Sequence, residues 1–187
     1  KLEKQGNKRE LPQITQQGNT LQQGGRTSYN LSSNDYLDLA RDTALREEFF
    51  QSLHRDDGLF SASSSRLLTG NHVLYTKLET QLSGMFGTES ALVFNSGYHM
   101  NMGILPAICH PHTLILADKW VHASLIDGIR LSAAHHFRYR HADYAHLEDL
   151  LAKYASHFHR LIIVTESIFS MDGGCTDLGY LVSLIGR

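Results

Sequence analysis

The sequence predicts an α/β fold, a mainly parallel β-sheet with helices on both faces. Two observations support this prediction. Short apolar runs alternate with segments of helical length from residue 91 onward, and turn-forming residues separate them. Such alternation is typical of strand–helix–strand units, whose strands are buried by helices on each face. The predicted strands are 91–94, 113–117, 136–140 and 161–165, and the helices that follow them are 98–108, 123–134, 144–156 and one from about residue 178.

The first ninety residues have a less regular pattern. Leu74, Leu78, Leu82 and Met85 recur at helical spacing, which predicts an amphipathic helix over residues 72–86 that ends at Gly87. Asp42 is suited to cap a second helix that runs to about residue 54. The remaining predictions are a short polar helix or frayed end over 1–9, a Gln- and Gly-rich loop over 13–25, a short strand over 28–31 and a small-residue loop over 61–65.

Composition excludes several classes of protein. The 187 residues carry a formal net charge of -2, which argues against nucleic acid or an anionic membrane as the main partner. No apolar run approaches the roughly 20 residues that span a bilayer. The polar residues 1–10 are unlike a signal peptide. Cys109 and Cys175 are too few for a disulfide framework, so we expect a reduced, cytoplasmic protein.

Histidine is abundant, with 12 residues in the chain. Their spacing does not match a metal site: His135 and His136 are adjacent and would point to opposite faces of a strand. His157 and His159 could share a face, but no cysteine or carboxylate accompanies them. We therefore expect no metal ion.

The break between strand 91–94 and the next helix is the first candidate site. Asn95, Ser96 and Gly97 interrupt the apolar run, and a helix that starts at Tyr98 leaves several backbone N–H groups unpaired. Those groups and the helix dipole favour an anion, most often a phosphate. An aromatic residue directly after the glycine suits a ligand with a flat ring. The alternative is an ordinary tight connection in which Gly97 supplies backbone freedom.

Ligands of parallel sheets bind beyond the carboxyl ends of the strands. This rule places three segments on one rim of the predicted sheet: 96–98, 118–122 and 166–172. We expect their side chains to lie close together.

Six motifs, three of which overlap the rim segments, follow one another along the chain. They are SNDYL at 33–37, SRLLTGNH at 65–72, FNSGY at 94–98, HASLIDG at 122–128, RYRH at 138–141 and FSMDG at 169–173. Together they resemble the α-oxoamine synthases, a family of pyridoxal-phosphate enzymes with the fold type I transferase architecture. The resemblance extends from about residue 29 to residue 178.

The resemblance implies an acyltransferase that uses pyridoxal 5'-phosphate. The motifs at 65–72 and 94–98 are most similar to the branch of the family that opens biotin-ring assembly. That branch condenses L-alanine with pimeloyl-CoA or a pimeloyl-carrier protein, with loss of CO2. Glycine C-acetyltransferase and serine palmitoyltransferase-like members of the family are the alternative. The resemblance also implies a homodimer, with residues 1–60 as an N-terminal segment and interface arm and 61–187 as the first part of the cofactor-binding domain.

The resemblance assigns cofactor-binding roles residue by residue. Gly97 and Tyr98 match the pair whose backbone N–H groups hold the phosphate. His122 matches the histidine that stacks on the cofactor ring and can reach the substrate carboxylate, so it is the predicted catalytic residue; the alternative is a solvent-exposed histidine at a helix start. Ser170 matches a serine whose hydroxyl reaches the cofactor, and its alternative is a turn-forming role.

Four further residues are weaker candidates. Glu166 either orients the cofactor site or caps a turn, and Asn101 either faces the cofactor or packs. Asn34 borders the substrate carboxylate in the family, although an Asx turn would explain it equally well. Lys8, or the neighbouring Arg9, could correspond to a basic residue that meets the acyl substrate.

The chain departs from the family pattern at three places. Asp38 stands where the family usually has glycine, and the run 61–64 replaces a Gly-Ser-Gly sequence near the expected substrate entrance. No lysine of the chain has the Ser/Thr-x-x-Lys-Gly context of the family's cofactor-bearing lysine. We therefore expect the chain to be the N-terminal part of a larger subunit and to be inactive alone.

Two alternatives come from outside this group of enzymes. A dinucleotide-binding α/β domain would have a glycine-rich turn after its first strand and an acidic residue at the end of the second, and neither is evident. A non-catalytic oligomerisation or regulatory homologue would keep the fold and lack the lysine.

Overall fold

The computed structural model describes residue 8, residues 11–53 and residues 61–185. The chain divides into two compact units, Lys1–Thr76 and Lys77–Arg187. The predicted domain boundary after residue 60 stays a prediction. The predicted helix or frayed end at 1–9 lies outside the described residues except for Lys8, and so does the predicted end of the next helix at residue 54.

The first unit contains a three-stranded antiparallel sheet of β1 (Thr15–Gln17), β2 (Thr20–Gln23) and β3 (Arg26–Tyr29). The pairs Gln17 with Thr20 and Gln23 with Arg26 leave two residues in each connecting turn. The second turn is Gly24-Gly25, with φ of 55° and 77°, a conformation that glycine adopts without steric cost. The loop predicted over 13–25 was therefore wrong, and the predicted strand at 28–31 lies two residues earlier, in β3.

Helix α1 (Thr43–Ser52) begins where predicted, because the Asp42 carboxylate accepts a hydrogen bond from the Leu45 N–H at 2.9 Å. Helix α2 (Val73–Phe86) confirms the amphipathic helix predicted over 72–86. It ends at Gly87, whose φ of 62° is the left-handed conformation that commonly closes helices.

The second unit contains a parallel sheet of β4 (Thr113–Asp118), β5 (His135–Tyr139) and β6 (Arg160–Val164) in the order β5-β4-β6. In its register Asp118 lies beside Tyr139, and Ala117 lies beside Val164. The strands alternate along the chain with helices α3 (Gly97–Ile108), α4 (Ala123–Leu131), α5 (Tyr144–Tyr154) and α6 (Leu178–Ile185). These elements confirm the predicted alternation, with bounds shifted by up to three residues.

Helices cover both faces of this sheet. Ile115 and Ala117 of β4 belong to a buried cluster with side chains of α3 and α4. Leu114 and Leu116, which point to the opposite face, join a second cluster with Leu147 of α5 and residues of α6. Every residue of β4 is buried, as expected for the central strand of a parallel sheet. The predicted fold class is confirmed.

The strand predicted at 91–94 was wrong. These residues have no regular secondary structure, and among the described residues none forms a β-ladder with them. The Val93 N–H donates instead to the carboxylate of Glu79 in α2, at 2.8 Å. Four apolar residues are compatible with a strand, but a strand also needs a neighbour for its main-chain groups. Within the described part of the chain, no helix combines the length and apolarity needed to cross a membrane.

Candidate active site

The carboxyl ends of β4, β5 and β6 meet at one rim of the parallel sheet. Asp118 ends β4, His141 follows β5 by two residues, and Glu166 follows β6 by two residues. Hydrogen bonds join the three segments: Asp118 contacts His141, and Glu166 contacts the main chain of His122. The start of α3 reaches the same region through Tyr98. The predicted juxtaposition of rim segments is thus present in the structure.

The start of α3 presents backbone N–H groups that are free to bind an anion. Ser96 is the N-cap, and its hydroxyl accepts a hydrogen bond from the His99 N–H at 3.2 Å. Among the described residues, nothing accepts a hydrogen bond from the N–H groups of Gly97 and Tyr98. A Cβ built on Gly97 would meet no atom within 4 Å, so the space beside these amides is open. Such an arrangement suits a phosphate.

Tyr98 and His122 lie side by side at this position. Their ring centroids are 6.3 Å apart and their planes make an angle of 83°, an edge-to-face arrangement. The Tyr98 hydroxyl donates to the carboxylate of Asp127 in α4, and this bond raises the pKa of Tyr98 above its ordinary value. The hydroxyl therefore ties α3 to α4 and stays protonated.

The imidazole of His122 is held in one orientation. Its Nδ1 accepts a hydrogen bond from the Ser124 N–H at 3.1 Å and lies 2.7 Å from the Ser124 hydroxyl. Because a backbone N–H can only donate, we assign the proton of the neutral ring to Nε2. Asn101 in α3 donates to the same hydroxyl at 2.9 Å. This series of hydrogen bonds, from Asn101 through Ser124 to His122, leaves the Nε2–H of His122 available to a ligand.

Glu166, two residues after β6, contacts the main chain of His122. Its carboxylate accepts a hydrogen bond from the His122 backbone N–H, the N-cap position of α4. An acidic side chain at the start of a helix is also favoured by the helix dipole. This bond is compatible with both roles that the sequence left open for Glu166, orientation of the site and capping, so its role stays a prediction.

Ser170 lies in a turn after β6. The Phe169 N–H donates to the Gly174 carbonyl at 2.8 Å, and the Gly173 N–H donates back to the Phe169 carbonyl at 2.9 Å. Phe169 is buried, whereas Ser170 is exposed. The turn thus has a buried base and an exposed serine.

A second group of side chains lies beside this turn and was not predicted. Asp118 is buried and accepts hydrogen bonds from the N–H groups of Trp120, at 2.7 Å, and Ala142, at 2.9 Å. His141 Nδ1 lies 2.9 Å from the Asp118 carboxylate, and its Nε2 lies 3.2 Å from the carboxylate of Asp172. The hydrogen bond that His141 donates to Asp118 is the largest cause that raises the pKa of His141, and Asp172 acts in the same direction.

Asn34 and Lys8 lie in the first unit. Both are exposed. The neighbours of Asn34 form the local turn that the sequence suggested, since the Ser33 hydroxyl accepts a hydrogen bond from the Asp35 N–H at 3.0 Å. The substrate roles of Asn34 and Lys8 stay predictions.

Four residues of the site were missed by sequence reasoning: Ser124, Asp127, Asp118 and His141. A signal for each was present, since Ser124 and Asp127 lie within HASLIDG, His141 ends RYRH and Asp118 begins the rim segment 118–122. Their roles depend on partners that are remote in sequence, such as Tyr98 for Asp127. Among the described residues, no three His, Cys, Asp or Glu side chains are placed to share a metal ion.

A sequence model of the family described as "Aminotransferase class I and II" matches residues 26–186. The chain belongs to the class I and II aminotransferase family. The match covers most of both units and includes all six motifs. Membership of the aminotransferase family disfavours the alternative of a dinucleotide-binding domain.

Curated relatives are identical to this chain at just over half of the aligned positions. A Haemophilus ducreyi protein named 8-amino-7-oxononanoate synthase is 53% identical over 182 residues, which are 96% of this chain and 47% of that protein. A Glaesserella parasuis protein, to which the same activity is provisionally assigned, is 57% identical over 182 residues, 97% of this chain and 48% of its own length. The chain spans about half the length of the curated relatives that it matches.

Two solved structures have the same fold as this chain. A serine palmitoyltransferase from S. paucimobilis, solved with a bound PLP–myriocin adduct, superposes with a TM-score of 0.81 at 23% identity, over 94% of this chain and 44% of that one. The 8-amino-7-oxononanoate synthase of Francisella tularensis superposes with a TM-score of 0.63 at 29% identity, over 82% of this chain and 41% of that one.

Proposed function

We propose that the whole protein is an 8-amino-7-oxononanoate synthase that uses pyridoxal 5'-phosphate. It condenses L-alanine with a pimeloyl thioester, either pimeloyl-CoA or a pimeloyl-carrier protein, and releases CO2. The observation that carries the proposal is the pairing of two open amides at Gly97 and Tyr98 with the oriented imidazole of His122. The identity of 53% to the H. ducreyi synthase supports this member of the family.

The residues at the rim fit the cofactor. A phosphate needs hydrogen-bond donors and positive potential, which the start of α3 supplies. The missing side chain at Gly97 leaves room for the phosphate oxygens to approach the main chain. A pyridine ring needs a flat neighbour, and the ring of His122 is exposed on the adjacent helix. When bound, the cofactor ring supplies an electron sink for the carbon from which the amino acid loses its proton.

The chain's own residues would bind and orient. Gly97 and Tyr98 hold the phosphate through their N–H groups, and Ser170 offers a hydroxyl from the turn after β6. His122 stacks on the ring and directs its Nε2–H toward the substrate carboxylate. Glu166 and Ser124 fix His122, so that its donor does not need to reorient during the reaction.

Substrate and partner assignments complete the proposal. Asn34 borders the carboxylate of the amino acid, and Lys8 meets the acyl thioester. The protein works in the cytoplasm as a homodimer, with residues 1–60 as the interface arm and the segment from residue 61 onward as part of the cofactor-binding domain.

The experiment uses the whole protein that contains this sequence, supplied with pyridoxal phosphate and pimeloyl-CoA. We expect CO2 release with L-alanine and at least about tenfold less with glycine or serine. Preference for glycine with acetyl-CoA, or for serine with a long-chain acyl-CoA, would contradict the assignment and indicate one of the related acyltransferases.

A matched pair of glycine variants tests the phosphate site. Gly97→Ala adds a methyl group in the open space beside the amides, so we expect weaker cofactor binding by about tenfold, measured by the cofactor's absorption. Gly103→Ala adds the same group further along α3, where the nearest atom is 3.5 Å away, and should leave binding unchanged. Equal cofactor affinity in both variants would contradict the assignment of the phosphate.

A further inference from the structure

His141 contacts the turn that carries Ser170 on both sides of that serine. On one side, the imidazole meets the ring of Phe169 edge-on, with centroids 4.6 Å apart at 85°. On the other, its Nε2 lies 3.2 Å from the Asp172 carboxylate. One side chain therefore contacts residue 169 and residue 172, and Ser170 lies between them.

The position of the imidazole is itself determined by the buried end of β4. Asp118 has a side chain that is 2% exposed, and it accepts hydrogen bonds from Nδ1 of His141 and from two backbone N–H groups. The ring of Trp120 stacks on the imidazole, with centroids 4.1 Å apart and planes at 10°. Asp118 and Asp172 are the charged groups that hydrogen-bond to the ring among the described residues.

The local backbone also supports this arrangement. Ala142 adopts a φ of 51°, a conformation that residues other than glycine rarely adopt. Its backbone N–H donates a hydrogen bond to the Asp118 carboxylate at 2.9 Å. In the turn, the Asp172 carboxylate also accepts a hydrogen bond from the Gly174 N–H at 2.9 Å. His141 thus joins two loops, after β5 and after β6, to a buried carboxylate.

We propose that His141 is a positioning residue, which holds Ser170 in place through its contacts with Phe169 and Asp172. Nδ1 of the imidazole contacts Asp118 at the end of β4, and Nε2 contacts Asp172 in the turn. The edge-to-face contact with Phe169 holds the base of the turn. This proposal deepens the proposed function and rests on it for the role of Ser170 toward the cofactor. The contact of His141 with the turn does not depend on that role.

Two substitutions separate the two nitrogens. In His141→Asn the amide occupies the position of Nδ1, so it can keep the bond to Asp118 but cannot reach Asp172. In His141→Gln the amide occupies the position of Nε2 and can reach Asp172. His159→Ala is the matched control, because His159 lies at the opposite, amino-terminal end of β6 and stacks on His112, 5.2 Å away.

The first measurement is hydrogen exchange of the peptide that covers residues 168–175, in the whole protein without added cofactor. We expect the amides of Phe169 and Gly173 to exchange about tenfold faster in His141→Asn than in wild type. His141→Gln should restore most of the protection, and His159→Ala should match wild type. Equal exchange in His141→Asn and wild type would overturn the proposal.

The second measurement is a double-mutant cycle between His141→Asn and Ser170→Ala, read as pyridoxal phosphate affinity and as kcat. If His141 acts through Ser170, His141→Asn lowers one of these values about tenfold or more in wild type and less than about twofold in the Ser170→Ala background. A purely structural role predicts the same loss in both backgrounds, and that result would overturn the proposal.

The two measurements also separate this proposal from the proposed function. If the wild-type protein bound no pyridoxal phosphate, the proposed function would fail, and hydrogen exchange would still show whether His141 holds the turn. If wild type binds the cofactor but exchange is unaffected by His141→Asn, the positioning role alone fails.

Discussion

At the scale of single residues, three positions other than glycine have a left-handed backbone among the described residues: Asp38, Ser63 and Ala142, with φ of 55°, 57° and 51°. Asp38 lies where the resembled family usually has glycine, and Ser63 lies in the run that replaces a glycine-containing one. Aspartate tolerates this conformation better than most residues, and here its carboxylate also pairs with Arg41. The unusual residues therefore lie where the backbone requires the conformation that glycine adopts freely.

Ser63 and Ser64 give a matched test of this strain. Ser63→Gly should stabilise the protein by up to about 1 kcal/mol, because the left-handed conformation is disfavoured for a side chain with a Cβ. Ser64→Gly should destabilise it by about 0.5–1 kcal/mol. Residue 64 has an ordinary φ, so glycine relieves no strain there and only increases the backbone entropy that is lost on folding. Urea unfolding midpoints measure both, and destabilisation by Ser63→Gly would contradict the prediction.

A second prediction at this scale concerns the titration of His141. Its pKa is raised in the folded protein, chiefly by the hydrogen bond that it donates to Asp118. The folded state therefore binds the proton more tightly than the unfolded chain does. Its stabilising contribution is complete below the unfolded pKa, near 6.5, and is lost as the pH rises through the raised folded value.

We therefore expect His141→Asn to cost more stability at pH 5.5 than at pH 8.5, by up to about 1 kcal/mol. Trp120 is the one tryptophan of this sequence, and it stacks on His141. Its fluorescence should therefore change over the same pH range, and this change should be absent in His141→Asn. His159→Ala should keep both pH dependences. A larger loss of stability in His141→Asn at pH 8.5 than at pH 5.5 would contradict the raised pKa of His141.

At the scale of elements, the close contact of α3 and α4 positions the site. A Cβ on Gly128 would lie 2.3 Å from the Asn101 carbonyl oxygen, a distance that real Cβ atoms do not show, so a side chain here would push the helices apart. The same contact brings Asn101 to Ser124 and Tyr98 to Asp127. The orientation of His122 thus depends on a residue that has no side chain.

Gly128→Ala is expected to destabilise the protein by about 1–3 kcal/mol, because the backbone of α3 cannot move aside as a flexible side chain would. Gly84→Ala, in α2, is the control: nothing lies within 4 Å of its added Cβ, and alanine should stabilise that helix by up to about 1 kcal/mol. Thermal unfolding measured by circular dichroism reports both changes. Equal stability of the two variants would show that α3 and α4 are not in close contact.

Elements were predicted well where local signals were complete. Asp42 caps the start of α1 as predicted, and the apolar spacing of α2 matches its observed bounds. The antiparallel strands β1 and β2 were missed, although Gly18-Asn19 and Gly24-Gly25 are two-residue turns of the kind that connects hairpins. The abundance of glutamine obscured that signal, because polar strands lack apolar alternation.

At the scale of the whole molecule, binding of a ligand to the folded state should raise its stability by mass action. At about 100 times the dissociation constant, pyridoxal phosphate should stabilise the whole protein by about 2.7 kcal/mol. His122→Ala removes the flat neighbour of the ring, and a tenfold weaker affinity would lower this gain by about 1.4 kcal/mol at the same concentration. Thermal unfolding with and without the cofactor measures the difference.

The control for this experiment is His112→Ala, at the amino-terminal end of β4, which should respond to the cofactor as wild type does. Pyridoxine, which has the ring but no phosphate, should give little stabilisation. A gain with pyridoxine equal to the gain with pyridoxal phosphate would contradict the role assigned to Gly97 and Tyr98.

The sequence by itself determined the alternation of strands and helices in the second unit and the family to which the chain belongs. Apolar runs, helix caps and short motifs act over a few neighbouring residues, so they can be read without knowing the fold. The tertiary structure decided which groups meet: His141 with Asp118 and Asp172, 23 and 31 residues away, and Val93 with a side chain of α2 instead of a strand. These contacts depend on strand register and helix packing, which bring together residues that are distant along the chain.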